Sequence, residues 1–348
     1  MFKKIILFLI ALALTPGFFF GAYLLLRTEE VKKGVDDSRM NLYSHIIFEP
    51  ENAFHDLLRA SSTMPSAETR IRTNSRITPH LQHEEWDDSF VTATLTAYQT
   101  SLEHVHLAAT RNVYQDPNFK NHENISFKMP IHSLAHHREL SRISALQAYA
   151  YAQAGHPDQG LDEALRLVRL GKLLEESPQG SLLIYLTGMT SKRLGLDAIL
   201  HIAKTPSLSV EKLRQVSSLI DEYRDTGKGL EAVWKVEYLQ FKNGFLPDNP
   251  ASFAYNPDET LRYLLEAADL RIARIATPCT QFASTTPVKR SPFVEGDTEA
   301  ELLEKTKRVP NSLGKMLVDT VTTDVDALYY KRCEEEASIN AIAALGNF

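Results

Sequence analysis

Apolar positions recur along this chain at helical spacing, after an opening block with no polar break. Ile5 to Leu26 is 22 residues without a charge, preceded by Lys3 and Lys4. At ~1.5 Å per residue such a helix is about 33 Å long, enough for a hydrocarbon core of ~30 Å. Pro16, Gly17 and Gly21 interrupt it, and a lipid-embedded helix tolerates such residues. A cleaved signal peptide has a core of about 7–15 residues and a small-x-small cleavage site. Here Gly21-Ala22 leads into Tyr23-Leu24-Leu25-Leu26 instead. The pattern predicts an uncleaved transmembrane helix, with residues 1–27 as a membrane anchor that meets the lipid bilayer through residues 5–26.

Beyond the anchor the pattern becomes amphipathic. Arg27 to about Phe48 reads as a helical stalk that Glu49-Pro50 ends. Phe54, Leu57 and Leu58 mark a short helix within Glu51 to Arg59, and Ser61 to His80, polar and carrying Pro65 and Pro79, reads as a loop. Val91, Leu95, Tyr98, Leu102 and Val105 form one stripe, which predicts a helix from about Glu84 to Arg111. Its acidic first turn (Glu84, Glu85, Asp87, Asp88) suits the positive end of a helix dipole. Asn112 to Ile131 reads as irregular. Residues 28–130 are therefore expected to form a stalk and N-terminal helical region, and residues 131–348 a helical-hairpin body.

The clearest unit of that body is an antiparallel pair. Leu140, Ile143, Leu146, Ala150 and Ala154 make a stripe that stops at Gly155-His156-Pro157. A second helix carries Leu161, Leu165 and Val168 on one side and Leu167, Leu170 and Leu174 on another, the mark of a helix buried between neighbours. Ser181 to Ala203 follows as a long apolar helix, and Lys192 and Arg193 make it a core helix and not a second span. Ser209 is the expected N-cap of the next helix, to Arg224. Further helices are expected at Gly229 to Lys242, Asp258 to Thr277, Glu299 to Lys307 and Asn311 to Leu345. Sustained period-two alternation is absent, so the fold class is all-α: an N-terminal transmembrane helix and then a helical-hairpin array or irregular helical bundle.

Ala148, Tyr151, Gly155, Gly160 and Ala164 resemble part of the tetratricopeptide pattern over one hairpin. The resemblance implies close helix approach through small residues, and no second copy recurs near 34 residues. Three further segments are similar to uncharacterised bacterial proteins with one N-terminal anchor and an exported helical body. They are Glu51-Asn52-Ala53-Phe54 with Leu57-Leu58, then Gly180 to Gly188, and Asn311-Ser312-Leu313-Gly314-Lys315. That resemblance implies the topology and carries no activity.

Composition adds exclusions. Apolar residues make up 43% and charged residues 24%, so wholesale disorder is excluded. The net charge is −6, without a basic run, which argues against a nucleic-acid partner. Lys3 and Lys4 favour a cytoplasmic N-terminus, although Arg27, Lys32, Lys33 and Arg39 follow the span. The expected location is the inner membrane, single-pass, with the body in the periplasm. There Cys279 and Cys333 are a disulfide candidate closing about 55 residues and worth ~4 kcal/mol; two unrelated buried thiols are the alternative.

Candidate chemistry is sparse. His132 and His136 would share a helix face, with Glu139 beside them, a spacing that metal sites use. Surface and capping histidines account for the same residues. Glu334, Glu335 and Glu336 read as a solvated face beside Lys331 and Arg332. The segment Thr277 to Thr298, with Cys279, Phe282, Lys289, Arg290 and Phe293, reads as a covering flap or a contact loop. Nucleophile elbows and phosphate-binding glycine loops are missing, and no cofactor is implied. The sequence thus points to a membrane-tethered helical scaffold or adaptor, not an enzyme, that binds another membrane or envelope protein. The alternative is a metal-dependent hydrolase built on 132–139.

Overall fold

The computed structural model describes residues 35–42, 47, 49–117, 125, 134–178, 180–244, 255–282, 301, 304, 308, 310–321 and 325–346. The anchor expected at 5–26, most of the stalk at 27–48, His132, the greater part of the 277–298 segment and most of the helix expected at 299–307 lie outside the described residues. Among the described residues, no helix is long and apolar enough to cross a membrane.

The body is all-α. Its first helices are α1 (Ala53–Ser62), α2 (Ala67–Leu81) and α3 (Asp88–Thr110); its centre is α4 (Leu134–Gln153), α5 (Pro157–Glu175) and α6 (Leu182–Ile202). There follow α7 (Val210–Leu219), α8 (Lys228–Gly244), α9 (Pro257–Arg274), the single turn α10 (Cys279–Phe282), α11 (Ser312–Val321) and α12 (Val325–Leu345). One isolated parallel bridge, Asn52 to Val113, is the extended pairing seen among the described residues.

The central hairpin forms where the pattern placed it. Gly155 takes φ +85°, a left-handed conformation that costs glycine no Cβ clash. Pro157 then opens α5 at a position where its missing N–H is not needed. Helix α5 is buried on both flanks: Leu161, Ala164 and Val168 join one apolar cluster, and Leu170 and Leu174 another. It approaches α6 through glycines. A Cβ on Gly171 would lie 2.5 Å from the Lys192 nitrogen and 2.7 Å from the Gly188 carbonyl oxygen. One on Gly195 would lie 2.7 Å from the Ala164 carbonyl oxygen. These obstacles are backbone atoms, so the approach exists only without side chains there.

The N-terminal helices depart from the sequence pattern in two places. The stretch expected as a loop, Ser61 to His80, is largely helix α2. Ser66 caps it by accepting from the Thr69 N–H at 3.4 Å, and Thr73, Ile77 and His80 turn inward at i, i+4 and i+7. Two of those three are polar, which hid the stripe, and Pro79 sits in the last turn. Helix α3 begins four residues later than expected, because Asp87 is its cap and accepts from the Phe90 N–H at 3.1 Å. Ser209 caps α7 as expected, accepting from the Lys212 N–H at 3.2 Å. At the C-terminus, one expected helix is two, α11 and α12.

Asn52 ties α1 to the end of α3. Its Oδ1 accepts from the Phe54 N–H at 3.1 Å and the Gln115 N–H at 2.9 Å, while its Nδ2 donates to the Gln115 carbonyl at 2.8 Å. Asn52→Ala removes the cap and two hydrogen bonds to the buried Gln115 backbone. The expected loss is about 2–3 kcal/mol, read as a lower urea midpoint at unchanged slope. A loss under about 1 kcal/mol would show that water takes over these bonds.

Candidate functional site

Two features converge where α12 crosses α6: a buried ionic network and a groove beside it. The network is centred on Lys192, whose side chain is 0% exposed. Its Nζ donates to Glu175 Oε2 at 2.7 Å and to Glu335 Oε1. Next to it, Arg332 Nε pairs with Asp225 Oδ2 at 2.8 Å, and Tyr185 donates to the same oxygen at 3.2 Å. Asp225 Oδ1 accepts from the Gly227 N–H at 2.7 Å. Four segments are joined this way: the end of α5, the middle of α6, the turn before α8 and the middle of α12.

Local sequence explains why the charges face inward. Glu335 occupies a stripe position of α12 shared with Leu328, Ile339 and Ile342, all buried. Lys192 sits on the α6 stripe with Tyr185, Leu196 and Ile199, also buried. Gly171 leaves space for the Lys192 stem. Burial drives the Glu175 carboxyl well above the ordinary carboxylate range; the Lys192 ammonium opposes this, and the neighbouring Glu335 adds to it. Burial likewise raises Glu335, again against Lys192. For Lys192 burial favours the neutral amine, but the two carboxylates outweigh it and hold the amine charged. Three carboxylates thus face two cations, an excess of one negative charge, and burial pushes both Glu175 and Glu335 toward their protonated forms. A lysine held in its charged form is no nucleophile, so the network's part is to join helices.

The groove beside it has a volume of about 700 Å³. One long face of α6 underlies it at i, i+3, i+7, i+10 and i+14: Leu183, Leu186 and Thr190 form the floor, and Arg193 and Asp197 carry it on to a charged rim. Met189 and Leu196 deepen it. One wall is the start of α4, with Leu134, Ala135 and Arg138; the other is α12, with Lys331, Glu334, Glu335 and Ser338. The size lies within the usual range for ligand-binding clefts, ~300–1,000 Å³. Glu335 lines this groove and also a second cavity of about 120 Å³ shared with Asp225 and Arg332. The ionic network is therefore the groove's inner support.

Of the residues expected to hold a metal, Glu139 and His136 are described. Glu139 is buried, and its carboxylate accepts from Arg70 Nε at 3.2 Å and Nη2 at 2.9 Å and from the Tyr98 hydroxyl. Burial alone would raise the Glu139 carboxyl, but the bonds from Arg70, Tyr98 and Asn74 prevail and hold it below the ordinary value. Its lone pairs serve an ion pair between α2, α3 and α4. His136 has a buried Nδ1 without a hydrogen-bond partner, and burial lowers its pKa, helped by Arg70. His132 lies outside the described residues. Among the described residues, no three His, Cys, Asp or Glu side chains gather as metal ligands do.

Cys279 and Cys333 are bonded to each other, with Cα atoms 5.4 Å apart, so α10 is stapled to α12 two residues before Glu335. The glutamate run that read as a solvated face is only partly so: Glu334 and Glu336 are exposed, and Glu335 is buried. No family model, curated protein or solved structure is similar to this chain.

Proposed function

We propose that this chain is a membrane-tethered, non-enzymatic helical scaffold that seats a segment of another membrane or envelope protein in the groove between α4, α6 and α12. The observation that carries the reading is the groove itself. It is a long channel with an apolar floor and polar rims, framed by three helices and braced from within by the Lys192 network. Clefts of this kind on rigid elements hold partners at low ordering cost. The uncharged run at 5–26 supports a single-pass anchor in the inner membrane. The Cys279–Cys333 bond supports placement of the body in an oxidising compartment, the periplasm.

Site-specific photocrosslinking in the native cells tests the reading. A benzophenone amino acid at position 183, whose leucine is 51% exposed on the groove floor, is expected to trap one discrete protein adduct. The same probe at position 270, an equally exposed leucine on α9, is expected to trap none. Equal labelling from both positions, or none from 183, would end the docking reading.

A further inference from the structure

The charges around the groove specify what sits in it. Arg193 pairs with Glu334 at 3.3 Å and with Asp197 at 3.9 Å, so the two exposed carboxylates of the rim share an internal cation. Glu335 is held by Lys192. Arg138 on the α4 side and Lys331 on the α12 side are exposed, and neither makes a hydrogen bond or ion pair among the described residues. Arg193 offsets only one of its two carboxylates, so one negative charge stays on the α6–α12 rim; against it stand the two open cations, Arg138 and Lys331, on opposite walls, and the open charge of the groove is net positive by one.

Shape specifies the rest. The α6 face repeats at i, i+3 and i+7 from Leu183 through the floor to Asp197 on the rim, and the α12 wall repeats as Lys331, Glu334, Glu335 and Ser338. Two such stripes facing one channel present ridges between which a further helix fits. At ~1.5 Å per residue the α6 face is about 21 Å long, room for roughly 14 residues of helix. A β-strand would need a sheet edge and a polyproline-type peptide an aromatic-lined groove; the described residues contain no strand, and those lining the groove include no aromatic side chain.

We infer that the groove takes an acidic amphipathic helix of the partner protein: leucine- or methionine-like side chains on the α6 floor, and carboxylates on both flanks meeting Arg138 and Lys331. This rests on the docking reading above. Exposed ion pairs contribute little each, about 0–1 kcal/mol. The flanking charges therefore select the partner, and the apolar floor supplies most of the affinity.

Two labelled peptides of roughly 15 residues test this against the purified full chain by fluorescence anisotropy. Both carry leucines at i, i+4, i+7 and i+11; one has glutamates on the flanks and the other lysines. The acidic peptide is expected to bind about tenfold more tightly, with the preference shrinking in high salt. The double variant Arg138→Glu with Lys331→Glu is expected to reverse the preference while its melting temperature stays unchanged. Equal binding of both peptides, tighter binding of the basic one, binding of neither, or a preference indifferent to the double variant would each overturn the proposal. If the peptides fail while position 183 still crosslinks a partner, the groove docks something other than an acidic helix. An adduct of twice the chain mass would identify a second copy as the occupant. If crosslinking fails as well, the docking reading falls too.

Discussion

Lys192→Met lowers stability by ~3–5 kcal/mol, a fall of roughly 5–8 °C in melting temperature, because it leaves Glu175 and Glu335 facing each other in a dry interior. Methionine matches the stem in size, so lost packing contributes little. The effect depends on pH with a definite sign. Folded Glu175 has its pKa raised above the ordinary value of 4.5, by burial first. Stability from its proton is fully present below that value and is lost as pH climbs through the folded value. Removing the Lys192 ammonium takes away the charge that opposes this, so both carboxyls rise further. The deficit of Lys192→Met is therefore smaller at pH 5 than at pH 8. Adding Glu175→Gln and Glu335→Gln restores most of the loss, since the amides carry no charge. Urea denaturation at the two pH values measures this. A deficit under about 1 kcal/mol, or one equal at both pH values, would mean that water reaches the network and screens it.

Gly171→Ala destabilises the body by about 2–3 kcal/mol, and Gly171→Leu by more. Alanine is the better helix former by about 1 kcal/mol, so helix propensity alone predicts the opposite sign. The added methyl meets the Lys192 nitrogen at 2.5 Å and the Gly188 carbonyl oxygen at 2.7 Å, both on the backbone of α6. Relief requires the two helices to separate, which opens gaps along Leu161, Val168 and Leu196. Gly188→Ala presses the same contact from the other helix, with its Cβ 2.7 Å from the Gly171 carbonyl oxygen. The double variant then costs less than the two singles together, because one separation accommodates both methyls. A stabilising Gly171→Ala would show that α5 and α6 part without loss.

Groove and network follow from these two features jointly. The glycine contact brings α6 close enough to α5 for Lys192 to reach Glu175. The ion pair to Glu335 then draws α12 across, and the Cys279–Cys333 bond staples it nearby. The wall that carries Lys331 thus owes its position to charges buried beneath it.

Helix existence was legible wherever the apolar stripe was clean, as in α3 through α6. Helix α2 was not, because its inward face uses Thr73 and His80, and a residue-type pattern counts both as polar. The candidate site divides in the same way. Lys192 was visible as a charge inside an apolar helix, but only as a mark against a second span; that it points inward came from the packing. Glu335 was masked by Glu334 and Glu336, since adjacent residues on a helix face different directions and a run of like charge reads as solvated. Glu139 looked available for a metal because its partners, Arg70 and Tyr98, lie on other helices.

The sequence by itself determined what depends on spacing within one segment: an all-helical body, the Gly155-Pro157 turn, the cap at Ser209, and an uncharged opening run long enough for lipid. Only the tertiary structure decided which charges are buried, which cations stay open on the groove, and that Cys279 meets Cys333. Helical periodicity is a local property, set by 3.6 residues per turn. Desolvation and pairing are set by whichever distant helix arrives opposite a side chain, and no local pattern carries that information.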